Sequence, residues 1–379
     1  MTLALSRDFC ADEDASASPA DHPPTDAVEL RLADLWEDAF GRRPASVTAD
    51  VFELGGHSFR SSARLGMLIE KAFGIQFPLA TFLTAATLGE QANLVRRPQE
   101  VQTEWPSLVP IRESGSKPPL FFVHMADGHV LSYRDLMRHL PTDQPLYGLQ
   151  SRGLDGTSPI NTRIEDMARD YVAEIRRAYP CGPYAICGWS FGGTVAFEMA
   201  RQLEQQQRRV ALLALFDTRV PTQTVRRRQA KRIWIRTLRT PVHISRVLAY
   251  VKGWLRRPDP APVTASVEAR VWESLALEYQ REFRLPPTLE NVLKANKKAL
   301  HDYVPRAYGG RVTVIRALHR LSQRSRDPLL GWGTLSIGDL ELHEVAGSHL
   351  SLLFEPHVRS LAEKLTQCLN RAWSEALNV

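Results

Sequence analysis

Several features that mark membrane, secreted and metal-binding proteins are scarce in this sequence. Only 4 of the 379 residues are cysteine. Their irregular spacing, at Cys10, Cys181, Cys187 and Cys368, fits neither a disulfide framework nor a zinc motif. The longest uninterrupted apolar run, Val210–Phe216, is far shorter than the ~20 residues of a membrane-spanning helix, and the first residues lack the apolar core of a secretory signal. We predict free thiols, no metal site, no membrane association and a cytoplasmic protein.

Acidic residues are absent from one long stretch of the chain. The segment 219–257 contains twelve Arg or Lys and no Asp or Glu. The positive charge of this segment alone exceeds the net charge of +6 for the whole sequence. Because the surplus is confined to one segment, it is not the broad basic surface that nucleic-acid binding favours, and we predict no nucleic-acid partner. The composition of the whole sequence, 44 % hydrophobic and 24 % charged, is typical of folded proteins.

Changes in composition divide the chain into regions. Residues 1–26 have few large apolar side chains and predict a flexible tail. Residues 27–95 place apolar side chains at helical spacing and predict a small helical bundle. Four prolines in 96–118, followed directly by Pro119, predict an extended, polar linker over 96–118. From 119 to 379, strand-like and helical stretches alternate, which predicts a mostly parallel sheet with helices on both faces. A helical insertion at about 219–305 interrupts the alternation.

Individual elements of the second region follow from its apolar runs and helical periodicity. The predicted strands are 120–123, 146–149, 184–187, 210–216, 312–315 and 340–345. The predicted helices include 164–179, 191–206 and 357–373.

The first motif lies in the helical bundle, where residues 50–58 read Asp-Val-Phe-Glu-Leu-Gly-Gly-His-Ser. Two glycines allow a tight turn, and Ser58 then begins a helix whose free amides favour an attached phosphate. Local chemistry alone also fits an ordinary turn followed by a serine N-cap. The longer string resembles the carrier domains of nonribosomal peptide synthetases. The resemblance implies that Ser58 carries 4′-phosphopantetheine, that a phosphopantetheinyl transferase attaches it, and that its thiol holds an acyl or peptidyl group as a thioester.

The second motif is the pentad Gly-Trp-Ser-Phe-Gly at 188–192, directly after a predicted strand and directly before a predicted helix. This G-x-S-x-G context is the one in which a strained turn exposes a nucleophilic serine, here Ser190. A serine hydroxyl needs a base, and the base needs a carboxylate that orients it. Asp217 follows the strand 210–216, at the sheet edge expected for Ser190, although it also suits a turn or N-cap.

His349 is the preferred base among eleven histidines, because it follows the strand 340–345 through a short loop and precedes the last helix. The other histidines considered are inside a strand, lack such a loop or belong to the first motif (His343, His319, His357 and His57). The resulting order Ser190, Asp217, His349 is that of α/β-hydrolases. An oxyanion hole is expected from the backbone amides of Phe191 and Ala126, with His124 orienting the loop 124–128.

Taken together, these features resemble the type I thioesterase domains of nonribosomal peptide synthetases, over about residues 119–376. The resemblance rests on the pentad with Gly193, on Phe-Asp-Thr at 216–218 and on Gly-Ser-His-Leu at 347–350. It departs from the family in the oxyanion loop, where Met125 replaces the usual proline and Asp127 adds a charge. The fold it implies is a small all-α carrier bundle followed by an α/β-hydrolase domain with a helical lid.

The two motifs together predict a terminal carrier-thioesterase didomain of nonribosomal peptide or hybrid polyketide biosynthesis. Ser190 would take the acyl group from the arm on Ser58 and release it by hydrolysis or cyclisation. The alternatives are an acyltransferase, an inactive docking scaffold, and an ordinary esterase that leaves Ser58 unexplained. Because the sequence contains no adenylation or condensation domain, we expect partners that supply them, as separate proteins or as preceding parts of one polypeptide.

The basic segment begins the predicted lid and interleaves its charges with apolar residues. One interpretation is an amphipathic lid with solvated charges. Our hypothesis is that this face helps the acidic carrier or its arm to dock, since opposite charges accelerate encounter.

Overall fold

The structure is a computed structural model that describes residues 21–56, 59–101, 105–221, 285–319 and 327–377. Ser58, Cys10 and the basic residues from 226 to 257 lie outside the described residues, and so do the predictions made for them.

Residues 27–95 fold into a small helical bundle. Its helices are α1 (Ala27–Phe40), α2 (Phe59–Phe73), α3 (Thr81–Thr84) and α4 (Leu88–Arg96). Asp26 begins α1 as an N-cap that accepts from the backbone N–H of Val28 and Glu29, and Gly41 ends it in the left-handed region at φ 71°. Thr87 and Glu90 form a capping box at the start of α4.

The core of the bundle combines apolar packing with one buried polar chain. Leu32, Trp36, Leu65 and Ile69 are almost completely buried. The indole N–H of Trp36 donates to Gln91 Oε1 at 2.9 Å, and Gln91 Nε2 donates to the Ala85 carbonyl at 3.1 Å. The chain between α3 and α4 is thereby tied to α1, because buried polar groups need partners.

Six residues of the predicted flexible tail are part of the bundle, and for these the prediction was wrong. The carbonyl of His22 accepts from the Val47 N–H at 2.9 Å, and the Asp21 carboxylate accepts from the Thr48 hydroxyl at 2.8 Å. Such side-chain and backbone hydrogen bonds hold a polar segment that has few apolar residues to bury.

The second region is built on a seven-stranded sheet. Its strands, in chain order, are β1 (Leu108–Arg112), β2 (Leu120–Val123), β3 (Leu146–Leu149), β4 (Tyr184–Trp189), β5 (Val210–Phe216), β6 (Val312–His319) and β7 (Leu340–Ser348). In space the order is β1-β3-β2-β4-β5-β6-β7, and all neighbours are parallel except β1 and β3. The helices are α5 (Arg134–Arg138), α6 (Ile164–Ala178), α7 (Phe191–Gln205), α8 (Pro287–Asp302) and α9 (Val358–Leu377).

Helices cover both faces of this sheet. On β2, Phe121 and Val123 face the cluster formed with α6 and α7, whereas Leu120 and Phe122 face the cluster formed with α5 and α9. This alternation is the period of two expected for a strand buried on both sides. The predicted fold class, a helical bundle followed by a mostly parallel α/β sheet, is confirmed.

Strand β1 corrects the predicted linker 96–118, because residues 108–112 belong to the sheet. Leu108 is opposite Leu149 and Pro110 is opposite Tyr147 in the antiparallel pair with β3. Proline lacks a backbone N–H, so it lowers the strand signal in a sequence, yet an edge strand tolerates it. The segment that connects the bundle to the sheet is therefore 97–107.

The predicted strands 120–123, 146–149 and 210–216 match β2, β3 and β5 end to end, while β4, β6 and β7 run longer than predicted. Of the predicted helical insertion, α8 lies within the described residues. Across the described part of the chain, no helix combines the length and apolarity needed to cross a bilayer.

Glycine is required where β4 turns into α7. A Cβ placed on Gly192 would lie 2.3 Å from the Val123 carbonyl oxygen, and one placed on Gly188 would lie 2.3 Å from the carbonyl carbon of Gly192. Since backbone atoms cannot move aside as a flexible side chain can, the two elements pack closely only without side chains here.

We predict opposite effects for the same substitution at two helical glycines. Gly192→Ala should lower the free energy of unfolding by about 3 kcal/mol, because the new methyl group overlaps backbone. Gly66→Ala in α2, where a Cβ would lie 3.8 Å from the Phe77 carbonyl oxygen, should instead raise it, by about 0.5–1 kcal/mol. Chemical denaturation of both variants and the wild type measures this difference. A Gly192→Ala protein as stable as wild type would contradict the packing described.

Candidate active site

Ser190 occupies a strained turn between β4 and α7. Its backbone has φ 55° and ψ −112°, and a positive φ is unusual for a residue with a side chain. The Ser190 N–H donates to the Phe216 carbonyl at 3.1 Å, which holds the turn against the end of β5. This is the strand-turn-helix context that the pentad 188–192 predicts.

Asp217 and His349 are in direct contact at the neighbouring strand ends. His349 Nδ1 lies 2.7 Å from Asp217 Oδ2, and Asp217 Oδ1 accepts from the Ala317 N–H at 3.3 Å. The side chain of Asp217 is 10 % exposed and that of His349 is 41 % exposed. Because the buried carboxylate accepts the Nδ1 proton, the more exposed ring is oriented with Nε2 available to accept another.

Ser190 lies beside this pair without a hydrogen bond to it. The indole ring of Trp189, the preceding residue, is 5.2 Å from the His349 ring, centroid to centroid. Within the described residues, no hydrogen bond joins the Ser190 hydroxyl to His349. Of the three predicted catalytic side chains, two are therefore paired and the third is adjacent, an arrangement common before substrate binds.

The two predicted oxyanion-hole residues come from separate elements. Phe191 is the first residue of α7, so its N–H has no acceptor within the helix. Ala126 lies in the loop after β2, and its carbonyl accepts from Asn296 Nδ2 at 3.1 Å. The same loop contains a turn in which the Gly128 N–H donates to the Met125 carbonyl at 3.0 Å.

His124 is a fully buried histidine at the base of this loop. Its Nδ1 donates to the Met125 carbonyl, and its Nε2 lies 2.7 Å from the Tyr171 hydroxyl. Burial lowers the pKa of His124 to about 4, so the imidazole is neutral near neutral pH. These contacts fit the loop-orienting role predicted for it.

Tyr133 is a buried residue beside the Ser190 turn that no motif in the sequence marks. Its hydroxyl donates to the Val123 carbonyl at 2.7 Å and accepts from the Trp189 N–H at 2.8 Å. The phenol thus ties the end of β2 to the residue before Ser190. Burial raises the pKa of Tyr133 well above its usual value, which keeps the donor protonated.

Asp127, the charge that departs from the family pattern, lies beside a buried histidine in the structure. Its Oδ2 lies 3.0 Å from Nε2 of the buried His129. The departure therefore places a carboxylate next to a buried imidazole in the loop 124–128.

Three described cysteines, Cys181, Cys187 and Cys368, are free thiols. Ligand atoms of Cys368, Glu341 and His343 lie within 4.8 Å of one another. The Glu341 carboxylate is already ion-paired with Arg371 at 2.5 Å. A metal ion at this cluster would therefore compete with the Arg371 guanidinium for the carboxylate.

The loop before Ser58 fits the attachment of a phosphate-linked group. Gly55 has φ 124°, and a Cβ on Gly56 would lie 2.8 Å from the Val51 carbonyl oxygen. Glycine is thus required for the tight turn of 52–56, and α2 begins at Phe59, immediately after Ser58 in the chain. A helix N-terminus presents unpaired N–H donors, which suit a phosphate.

Comparison with protein families agrees with both halves of this description. Residues 118–369 match the family model of the thioesterase domain, and residues 31–95 match that of the phosphopantetheine attachment site. The chain belongs to the thioesterase family and carries a phosphopantetheine-binding carrier domain ahead of its thioesterase domain. The predicted resemblance is confirmed, and 4′-phosphopantetheine is the covalently bound cofactor of such a domain.

Similar proteins include large synthetases. Malpibaldin synthetase of Mortierella alpina is 38 % identical over 205 residues, which cover 54 % of this chain and 4 % of the synthetase. Chondramide synthase of Chondromyces crocatus is 27 % identical over 357 residues, covering 90 % of this chain and 9 % of the synthase. A crystal structure of a four-domain nonribosomal peptide synthetase bound to AMP and glycine aligns with a TM-score of 0.54 and 24 % identity, over 94 % of this chain and 27 % of that one. The chain spans a small part of the length of each.

We predict that His124 makes stability depend on pH. Its folded pKa of about 4 lies below the ordinary 6.5, so its contribution is complete above pH 6.5 and is lost as the pH falls toward 4. The loss amounts to about 3 kcal/mol. In His124→Asn this contribution is missing, so the stability difference between wild type and variant should shrink over that interval. Calorimetry of both proteins measures it, and a difference independent of pH would argue against a buried neutral imidazole.

Proposed function

We propose that this chain is a carrier-thioesterase didomain that releases an acyl or peptidyl product from its own carrier, at the end of nonribosomal peptide or hybrid polyketide assembly. The observation that carries the proposal is the 2.7 Å contact between His349 Nδ1 and Asp217 Oδ2 beside the strained Ser190 turn. Ser190 is the proposed nucleophile, His349 the base and Asp217 the carboxylate that orients it.

Ser58 is the proposed attachment residue for phosphopantetheine, in keeping with the match of 31–95 to the attachment-site family. When bound, the group supplies a thiol that presents the acyl substrate as a thioester. The turn at 52–56 and the start of α2 are the parts of the chain that would hold its phosphate.

In the first step, Ser190 Oγ forms a bond to the acyl carbon while the bond from that carbon to sulfur breaks. His349 Nε2 takes the hydroxyl proton and passes it to the departing sulfur. Asp217, accepting from Nδ1, stabilises the imidazolium that exists between these transfers. The product is an acyl ester on Ser190.

In the second step, His349 removes a proton from an incoming nucleophile and returns one to Ser190 Oγ as the ester bond breaks. Water as the nucleophile gives a free acid, whereas a hydroxyl or amine within the product gives a ring. Negative charge develops on the acyl oxygen in both steps, and the amides of Phe191 and Ala126 are the proposed donors to it. Loss of one such donor typically lowers rates about 100- to 1000-fold.

Partners follow from this function. A phosphopantetheinyl transferase must modify the carrier, and upstream condensation and adenylation domains must load it. An acyltransferase would use the same side chains but pass the acyl group to another acceptor.

We predict that Ser190→Ala, converted to its pantetheinylated form and loaded with an acyl group, keeps that load on Ser58. Without the hydroxyl no acyl ester can form, so release should fall to the rate of spontaneous thioester hydrolysis. Intact-protein mass spectrometry over time measures the loaded fraction. The matched control is Ser374→Ala, at an exposed serine of α9, which should release like wild type.

Rapid release from Ser190→Ala would falsify the assignment of the nucleophile. Wild-type protein that discharges only when an acyl acceptor is added would identify a transferase, and wild-type protein that never discharges would identify a docking scaffold.

A further inference from the structure

Arg134, at the start of α5 in the thioesterase domain, contacts the carrier domain through two different interactions. Its guanidinium is ion-paired with the Asp50 carboxylate, and its Cζ lies 4.3 Å from the centroid of the Phe52 ring. Asp50 and Phe52 both belong to the loop that leads to Ser58. One side chain of the thioesterase domain therefore binds a charge and an aromatic face of the carrier motif.

The ion pair is largely removed from solvent. The Arg134 side chain is 13 % exposed and the Asp50 side chain is 16 % exposed. Asp50 is also fixed within its own loop, since its Oδ1 accepts from the Phe52 N–H at 2.9 Å. Because the ion pair is desolvated and Asp50 is held in its loop, the pair fixes how the two domains are oriented at their interface. Loss of either partner would leave a buried charge unpaired.

Apolar packing surrounds this contact. The hydrophobic cluster of the carrier continues without a break into the thioesterase domain. Its members there come from the segment before α5, the loop after β3, the residues just before α8 and α8 itself, namely Leu131, Leu154, Leu285, Leu289 and Val292. Leu83 of α3 packs against this cluster and also against the core on the α5 and α9 side of the sheet.

Arg134 is connected to the turn at Ser190 through its neighbour Tyr133. Tyr133 directly precedes Arg134, and its hydroxyl accepts from the N–H of Trp189, which directly precedes Ser190. Only eleven residues, 97–107, separate α4 from β1 in the chain, so the carrier is tethered close to this surface.

We propose that the segment 131–134, together with the start of α8, is the docking surface for this chain's own carrier domain, and that Arg134 orients the loop before Ser58 toward Ser190. The proposal rests on the function proposed above and names the surface through which the carrier delivers its load. It does not use the basic segment 219–257, of which residues 222–257 lie outside the described part.

The test compares release from the attached carrier with hydrolysis of a small soluble acyl-pantetheine thioester. Arg134→Glu reverses the charge facing Asp50 and should slow single-turnover release from the loaded full-length chain at least about 10-fold. Its turnover of the soluble thioester should stay within about twofold of wild type, since that substrate needs no docking. The matched control is Arg138→Glu, on the same helix but exposed, which should change neither rate.

A second variant guards against misfolding. Asp50→Asn keeps the oxygen that accepts from Phe52 while removing the charge, so it should reproduce the slower release without disturbing the loop. Combined with Arg134→Met, it should cost little more than either single change, because both remove the same contact.

Equal slowing of attached and soluble substrates by Arg134→Glu, or no slowing of either, would overturn the docking proposal. Failure of the proposed function has a different signature, which is a wild-type chain that does not release its load or a Ser190→Ala chain that does.

Asn296 carries a second, independent inference. This residue of α8 is fully buried, and its Nδ2 donates to the Ala126 carbonyl at 3.1 Å. A carbonyl oxygen only accepts, so the amide must face Ala126 with its nitrogen, and Oδ1 then has no partner among the described residues. A buried amide oxygen without a hydrogen-bond partner loses the hydrogen bonds it would make to water. An asparagine at this position therefore indicates that its Nδ2 donor is needed.

We infer that Asn296 is a positioning residue that fixes the oxyanion loop through Ala126 and thereby links the lid helix to the active site. The inference rests on the proposed role of the Ala126 amide. Asn296→Ala should lower kcat for the soluble thioester about 10-fold, a fraction of the loss expected on removing an oxyanion donor, with little change in KM. Asn291→Ala, on the exposed side of the same helix, should leave both parameters unchanged.

Asn296→Asp provides a readout that a purely structural role would not move. A carboxylate repels the Ala126 carbonyl, but a protonated carboxyl can donate to it. The ratio of variant to wild-type kcat should therefore rise as the pH is lowered. Wild-type kcat in Asn296→Ala, or a ratio for Asn296→Asp that does not change with pH, would refute the positioning role.

Discussion

The hydrogen bond between Asp217 and His349 is the contact on which the candidate active site depends. It joins the ends of β5 and β7, which are separated in the sheet by β6, and it exists because parallel strands deliver their carboxyl ends to one edge. Asp217 is held from the backbone as well, by its own N–H to the Ile315 carbonyl at 2.8 Å. The imidazole therefore receives its orientation from the sheet rather than from a flexible loop.

The same edge organises the nucleophile turn and the carrier contact. Tyr133 connects β2 to the residue before Ser190, and the next residue, Arg134, holds the carrier loop. Two peptide bonds and the hydrogen bond between Tyr133 and Trp189 thus connect Arg134 to Ser190. Helix α8 makes two contacts near this path. Val292 belongs to the apolar cluster shared with the carrier, and Asn296 donates to the Ala126 carbonyl.

Much of this architecture could be predicted from the sequence, because local patterns specify it. Apolar runs such as 120–123 and 210–216 gave strands with the right ends, and the pentad around Ser190 gave the strained turn. Strand β1 was missed because Pro110 interrupts a short apolar run that lies among prolines and polar residues, and only pairing with β3 makes this segment a strand. Tyr133, Arg134 and Asn296 could not be found, since their partners are distant in the chain and ordinary residue types carry no motif.

In the proposed mechanism, an acyl group passes from Ser58 to Ser190 before it leaves the protein. Rapid quenching of the loaded wild-type chain, followed by proteolysis and mass spectrometry, measures the acyl group on each of the two serine peptides over time. The account predicts that label on the Ser190 peptide rises as label on the Ser58 peptide falls, and that both precede free product. Product that forms at the rate of loss from Ser58, with no label ever found on Ser190 even when the incoming nucleophile is limiting, would contradict it.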